Sequence, residues 1–93
     1  MTLLKKEEVK DALSSLNGWN NGEKEITKQF ELKDFKGALL FVNKIGEKAE
    51  EMDHHPDILI HSWNKVKVTI STHSEGGITK KDVQLAEKIQ NLG

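Results

Sequence analysis

The sequence predicts an α+β domain, a four-stranded antiparallel sheet with three helices on one face in the order α-β-β-α-β-β-α, and three patterns carry that prediction. Apolar residues recur at steps of three and four from Phe35 to Met52. They alternate with polar ones through Val66, Val68 and Ile70. Breaks rich in Asn and Gly separate one patterned stretch from the next.

Taken in order, Lys5 to Leu16 sets Val9, Ala12, Leu13 and Leu16 on one helix face, and Asn17-Gly18 ends it. Asn20-Asn21-Gly22 then reads as a turn between Trp19 and the stretch Ile26, Phe30, Leu32, a hairpin. Lys28 interrupts the inward row of its second strand, which is therefore expected at a sheet edge. From Asp34, an N-cap, the stripe Phe35, Ala38, Val42, Ile45, Ala49, Met52 predicts a long helix bounded by Pro56. Gly37 and Gly46 weaken it by about 1 kcal/mol each relative to Ala. Ile58 to Trp63 reads as a strand and Asn64-Lys65 as the turn into the next. In that strand Val66, Val68 and Ile70 face inward, while Lys67, Thr69, Ser71 and His73 line the other face. Ser74-Glu75-Gly76-Gly77 breaks it, and Thr79 opens a last helix through Asp82, Val83, Ala86 and Ile89.

A chain of 93 residues supports one core, so one domain is expected over 1–93. A domain this small buries little surface, which makes association between copies a reasonable expectation. Fourteen Lys+Arg against fifteen Asp+Glu, interspersed, leave no basic stripe for a phosphate backbone, so nucleic acid is not an expected partner. The absence of cysteine removes disulfides, zinc knuckles and thiol nucleophiles and points to a reducing cytoplasm. The longest apolar run, Ala38 to Val42, is too short for a membrane, and Met1 to Glu8 has no signal-like apolar core.

Imidazole suits proton transfer at neutral pH, so the histidines are the first candidates for chemistry. His54 and His55 precede Pro56 in a restricted loop, where neighbouring side chains diverge; on their own they fit two solvated histidines equally well. His73 lies close to Gly76-Gly77, and the Asn64-Lys65 turn brings its strand beside the segment after Pro56, so three imidazoles can converge. His61 reads as ordinary surface. Adjacent histidines cannot share an ion as an i, i+4 pair does, and there is no HExxH, so no metal site is expected. Asp82 completes Thr79-Lys80-Lys81-Asp82, a capping pattern, and is held equally as helix cap and as helper of the site.

Together these residues resemble the pterin-4a-carbinolamine dehydratase family. The resemblance rests on Glu50 four before His54, on His54-His55-Pro56, on Trp63-Asn64, on Ser71-Thr72-His73, on Gly76-Gly77 and on Asp82. Upstream, Leu16-Asn17-Gly18-Trp19 and Phe30-Glu31-Leu32-Lys33-Asp34-Phe35 are similar to its Gly-Trp and Phe-x-Phe-x-Asp-Phe segments, with Leu32 in place of an aromatic and Ile58 to Ser62 one residue longer than in some members. The resemblance implies dimers or tetramers, no cofactor, and dehydration of 4a-hydroxytetrahydrobiopterin to quinonoid dihydropterin, recycling the tetrahydrobiopterin of an aromatic amino acid hydroxylase. It assigns catalysis to His54, His55 and His73, a pterin border to Asp53, Ser71 and Thr72, and supporting roles to Glu50 and Asp82. It also implies another possibility, a non-catalytic oligomeric interaction module or transcription cofactor.

Overall fold

Eight short segments build the molecule, and the computed structural model describes residues 2–92 of them and their connections. The ends of the 1–93 span, residues 1 and 93, lie outside the described residues. Helix α1 (Lys6–Leu13) leads to strands β1 (Asn20–Asn21) and β2 (Ile26–Glu31), helix α2 (Phe35–Met52), strands β3 (Asp57–His61) and β4 (Lys65–Ile70), a 3₁₀ turn (His73–Glu75) and helix α3 (Lys80–Gln90). The sheet is antiparallel in the order β1-β2-β4-β3, so the α+β architecture is as expected.

Period-2 alternation decides which sheet face the helices cover. Ile26, Val66, Val68 and Ile70 are fully buried and pack with Phe30, Ile58 and Ile60 against Val9 and Leu13 of α1, Ala38, Phe41 and Ile45 of α2, and Leu85, Ala86 and Ile89 of α3. The Phe30 ring sits 4.9 Å from Phe41 and edge-on to Trp19 at 6.1 Å. Phe41 thereby takes the core position that the stripe gives to Phe35, which is 47% exposed. Asp34 caps α2 as expected, its carboxylate accepting the Gly37 N–H at 2.7 Å.

Several boundaries differ from expectation, each for a local reason. Helix α1 stops at Leu13 rather than Leu16, because Ser14 turns both its N–H and its hydroxyl back on the Asp11 carbonyl. Asn20 and Asn21 pair with Thr27 and Ile26 as β1, and the turn is Gly22–Glu25, closed by Gly22 N–H to Glu25 O. Strand β2 is internal only at Ile26 and Thr27, where β1 pairs with it; from Lys28 to Glu31 it pairs with β4 alone, so the edge expected at Lys28 is present there. The β3–β4 connection is Ser62-Trp63-Asn64, not Asn64-Lys65. It holds Ser62 at φ 49° and Trp63 at φ 71°, with Asn64 N–H bonded to Ser62 O, the rarer hand of a γ-turn. Strand β4 ends at Ile70, which leaves Ser71 and His73 beyond the sheet.

Lys28 is tolerated on the inward row because its ammonium bonds Asn17 O and Gln90 Oε1 at the rim and lies 4.7 Å from the Phe30 ring centroid. Burial lowers its pKa from the ordinary 10.5. The fold thus disfavours the charged form, a penalty present below the folded midpoint and lifted as pH rises through it toward 10.5. Following the Lys28 Cε resonance against pH is expected to give a midpoint below 10.5; one at or above that value would contradict this packing.

Candidate functional site

The site begins where α2 ends. Asp53 adopts the left-handed conformation (φ 51°, ψ 43°), which a short polar side chain accepts more readily than most. Its N–H bonds Glu50 O, and the His54 N–H returns to Ala49 O at 3.0 Å, so the chain reverses within two residues. Pro56 then prevents the helix from resuming. The reversal delivers His54 to the start of α3.

There His54 Nε2 meets Asp82 Oδ1 at 2.6 Å. Asp82 is wholly buried and the His54 side chain only 11% exposed. The other carboxylate oxygen, Oδ2, accepts the Thr79 N–H and the Thr72 hydroxyl, both at 2.8 Å. Asp82 therefore caps α3 and contacts His54 at once: one oxygen closes the capping box and the other meets the imidazole. Two donors already occupy Oδ2, so the pair is satisfied when His54 donates from Nε2. His54 Nδ1 has no hydrogen-bond partner, yet no buried side-chain nitrogen or oxygen among the described residues lacks one, so Nδ1 opens to solvent. Held this way, the neutral ring offers a base at Nδ1 and the protonated ring offers an acid at the same atom.

The remaining candidates are gathered more loosely. Thr72 joins the His54–Asp82 pair directly, which draws the following residue, His73, toward the same end of the sheet. His73 is exposed on the 3₁₀ turn, its Nε2 at 3.5 Å from Ser71 Oγ, rather than on the strand face that alternation predicts. His55 points away from the core and pairs with Glu50, both well exposed. Asp53 is exposed at the helix end. No hydrogen bond joins two imidazoles among the described residues. His61 lies apart on the open sheet face, bonded to Gln29 and Ser62.

For two residues that the motifs name, Thr72 and Thr79, the sequence does not reveal the bonds they make here. Thr72 continues the inward row of Val66, Val68 and Ile70, so its hydroxyl is buried and needs a partner inside; that extension of the alternation is the signal that could have found it. Thr79 is legible as a cap but not as a partner of Thr72, at 2.8 Å between hydroxyls. A concavity of about 590 Å³ is lined by Leu3, Lys6, Asn21, Lys24, Gly76 and Ile78 and includes none of the histidines. Among the described residues no group of three or more His, Cys, Asp or Glu is arranged to hold a metal ion, and no helix is long and apolar enough to cross a membrane.

Known proteins resemble this chain in sequence and in fold. The family model described as "Pterin 4 alpha carbinolamine dehydratase" matches residues 2–92. A protein of Sulfolobus acidocaldarius is 43% identical over 89 residues, covering 96% of this chain and 97% of its own length. One of Aquifex aeolicus is 44% identical over 89 residues, covering 96% and 89%. Both bear the name pterin-4-alpha-carbinolamine dehydratase provisionally. The crystal structure of a transcriptional coactivator/pterin dehydratase from Brucella melitensis matches with a TM-score of 0.89 at 38% identity, over 98% of each chain. A pterin dehydratase-like RuBisCO assembly factor of the alpha-carboxysome matches at 0.68 and 18% identity, over 83% and 90%, a likeness of fold alone.

Proposed function

The chain belongs to the pterin 4 alpha carbinolamine dehydratase family, and from that premise we propose that it eliminates water from 4a-hydroxytetrahydrobiopterin to give quinonoid dihydropterin by histidine acid–base catalysis. The observation that carries this reading is the His54–Asp82 pair at 2.6 Å, with the far ring nitrogen open to solvent. The reaction breaks C4a–O and a ring N–H bond, forms a C=N bond and releases water, so it needs no electron carrier. Hydroxide leaves poorly, and an acid must protonate it while a base takes the ring proton. His54, charged, delivers its Nδ1 proton to the C4a oxygen. His73 and His55 share the second proton transfer and the positioning of the ring, with Glu50 steadying His55. Asp53, Ser71 and Thr72 border the pterin.

A stable 7,8-dihydropterin titrated into protein with ¹⁵N-labelled histidines tests the site. The His54 and His73 ring signals are expected to move to saturation while that of His61 stays. Signals of His54 and His73 that do not move at saturating pterin would overturn the reading.

The same reading includes association between copies. Helix α2 is apolar on a second side, where Phe35, Leu39 and Leu40 are 47%, 43% and 55% exposed. Burying one leucine contributes about 1.5–3 kcal/mol, so Leu40→Glu is expected to weaken self-association by at least about tenfold in sedimentation experiments. The same face favours a second reading, the interaction role that the name coactivator gives to the Brucella melitensis relative. A protein confined to that role would self-associate yet leave the carbinolamine to decay at its rate in buffer.

A further inference from the structure

We infer that Thr72 and Thr79 are positioning residues of this site, acting on its chemistry through a one-way chain of hydroxyls rather than through a hydrogen bond from either hydroxyl to the pterin. The inference rests on the dehydratase reading for its effect on turnover, but its geometry stands apart from that reading. A threonine hydroxyl has one proton to give and lone pairs to receive. Thr72 gives its proton to Asp82 Oδ2 at 2.8 Å, an oxygen that also takes the Thr79 N–H. At the 2.8 Å contact between the two hydroxyls, only Thr79 is then left to donate. The chain runs from Thr79 Oγ1–H to Thr72 Oγ1–H to Asp82 Oδ2.

All three side chains are buried, Thr79 and Asp82 completely and Thr72 to 8% exposure, so water does not substitute for a missing member. With Oδ2 held by two donors, the carboxylate cannot turn without breaking both, and Oδ1 stays aimed at His54 Nε2. The carboxylate, an acceptor only, draws the proton of the neutral His54 ring to Nε2, and the hydroxyl chain keeps Oδ1 in place to do so, which leaves Nδ1 to the substrate. It also removes the Thr72 hydroxyl from the groups available to a ligand.

Three variants and two readouts test this. Thr72→Val keeps the shape and removes the hydroxyl; its neutral His54 ring is expected to change from the Nε2–H tautomer of the wild type to a mixture, read from ¹⁵N ring shifts. Its kcat is expected to fall about 10–100-fold, the range seen when outer partners of an oriented imidazole are lost at metal sites, with KM changed by less than about twofold. Thr72→Ser is expected to restore both readouts. If Thr72→Val does not fold, Thr79→Ala serves: it keeps the N–H on Oδ2, removes the donor to Thr72, and is expected to shift the tautomer less far in the same direction. A folded Thr72→Val, or failing that Thr79→Ala, with the wild-type tautomer would overturn the inference. A wild type that does not dehydrate the carbinolamine would overturn the proposed function instead, and the ring spectra would still decide the hydroxyl chain.

Discussion

Asp82→Asn is expected to lower turnover by about 10²–10⁴-fold with almost no loss of fold, a large effect for the exchange of one oxygen for a nitrogen. The amide carbonyl can occupy the place of Oδ2 and keep both the Thr79 N–H and the Thr72 hydroxyl. Its NH₂ group then faces His54 Nε2, which must accept rather than donate. The neutral ring answers by moving its proton to Nδ1, and the atom offered to the substrate ceases to be a base. The same replacement of the aspartate in a Ser-His-Asp triad costs about 10⁴-fold in kcat through the wrong tautomer. Asp82→Ala is a different experiment, because it strips three donors of their acceptor inside the protein and costs about 1–3 kcal/mol for each group left unsatisfied. Steady-state kcat together with thermal melting separates the two variants. Wild-type turnover in Asp82→Asn would reduce the residue to a helix cap.

His54→Ala is expected to lose about 10²–10⁴-fold in turnover, the usual contribution of one positioned acid or base. The fold should survive, since the reversal at the end of α2 depends on the backbone bonds of Asp53 and His54, not on the ring. The variant leaves Asp82 Oδ1 without its donor but open to water through the space the ring vacates. His61→Ala is the control: its ring bonds only Gln29 and Ser62 on the outer sheet face, and turnover should not change. Comparable loss in both variants would mean that the measurement reads stability rather than chemistry.

The sequence makes most of the architecture legible because each periodic stretch has one face to bury. The steps of three and four in α2 and the alternation in β4 give element type, order and most of the inward side, with Phe41 in the core where the stripe puts Phe35. Boundaries are less legible, because they depend on single hydrogen bonds made after the elements pack. Ser14 ends α1 early by turning to Asp11, and Asn20-Asn21, good turn residues in isolation, become strand because Ile26 and Thr27 are there to pair with them. Lys28 reads as an interruption, since its acceptors, Asn17 O and Gln90 Oε1, come from distant parts of the chain.

Much the same division holds for the site. His54 and Asp82 are recognisable as residue types, but their contact spans 28 positions and requires the helix end and the α3 cap to meet. Motif alone leaves Asp82 poised between cap and helper; its two oxygens do one task each. His73 was misplaced by one rule carried too far. Strand β4 ends at Ile70, the inward row reaches only Thr72, and His73 begins a 3₁₀ turn closed by the Glu75 and Gly76 N–H groups on Thr72 O.

The central claim, that this chain dehydrates a pterin carbinolamine, is tested most directly by the initial rate of 4a-hydroxytetrahydropterin loss at neutral pH as protein concentration is raised. The predicted result is a rate above that of buffer that grows in proportion to the protein and yields quinonoid dihydropterin. A rate equal to that of buffer at every protein concentration would contradict the account.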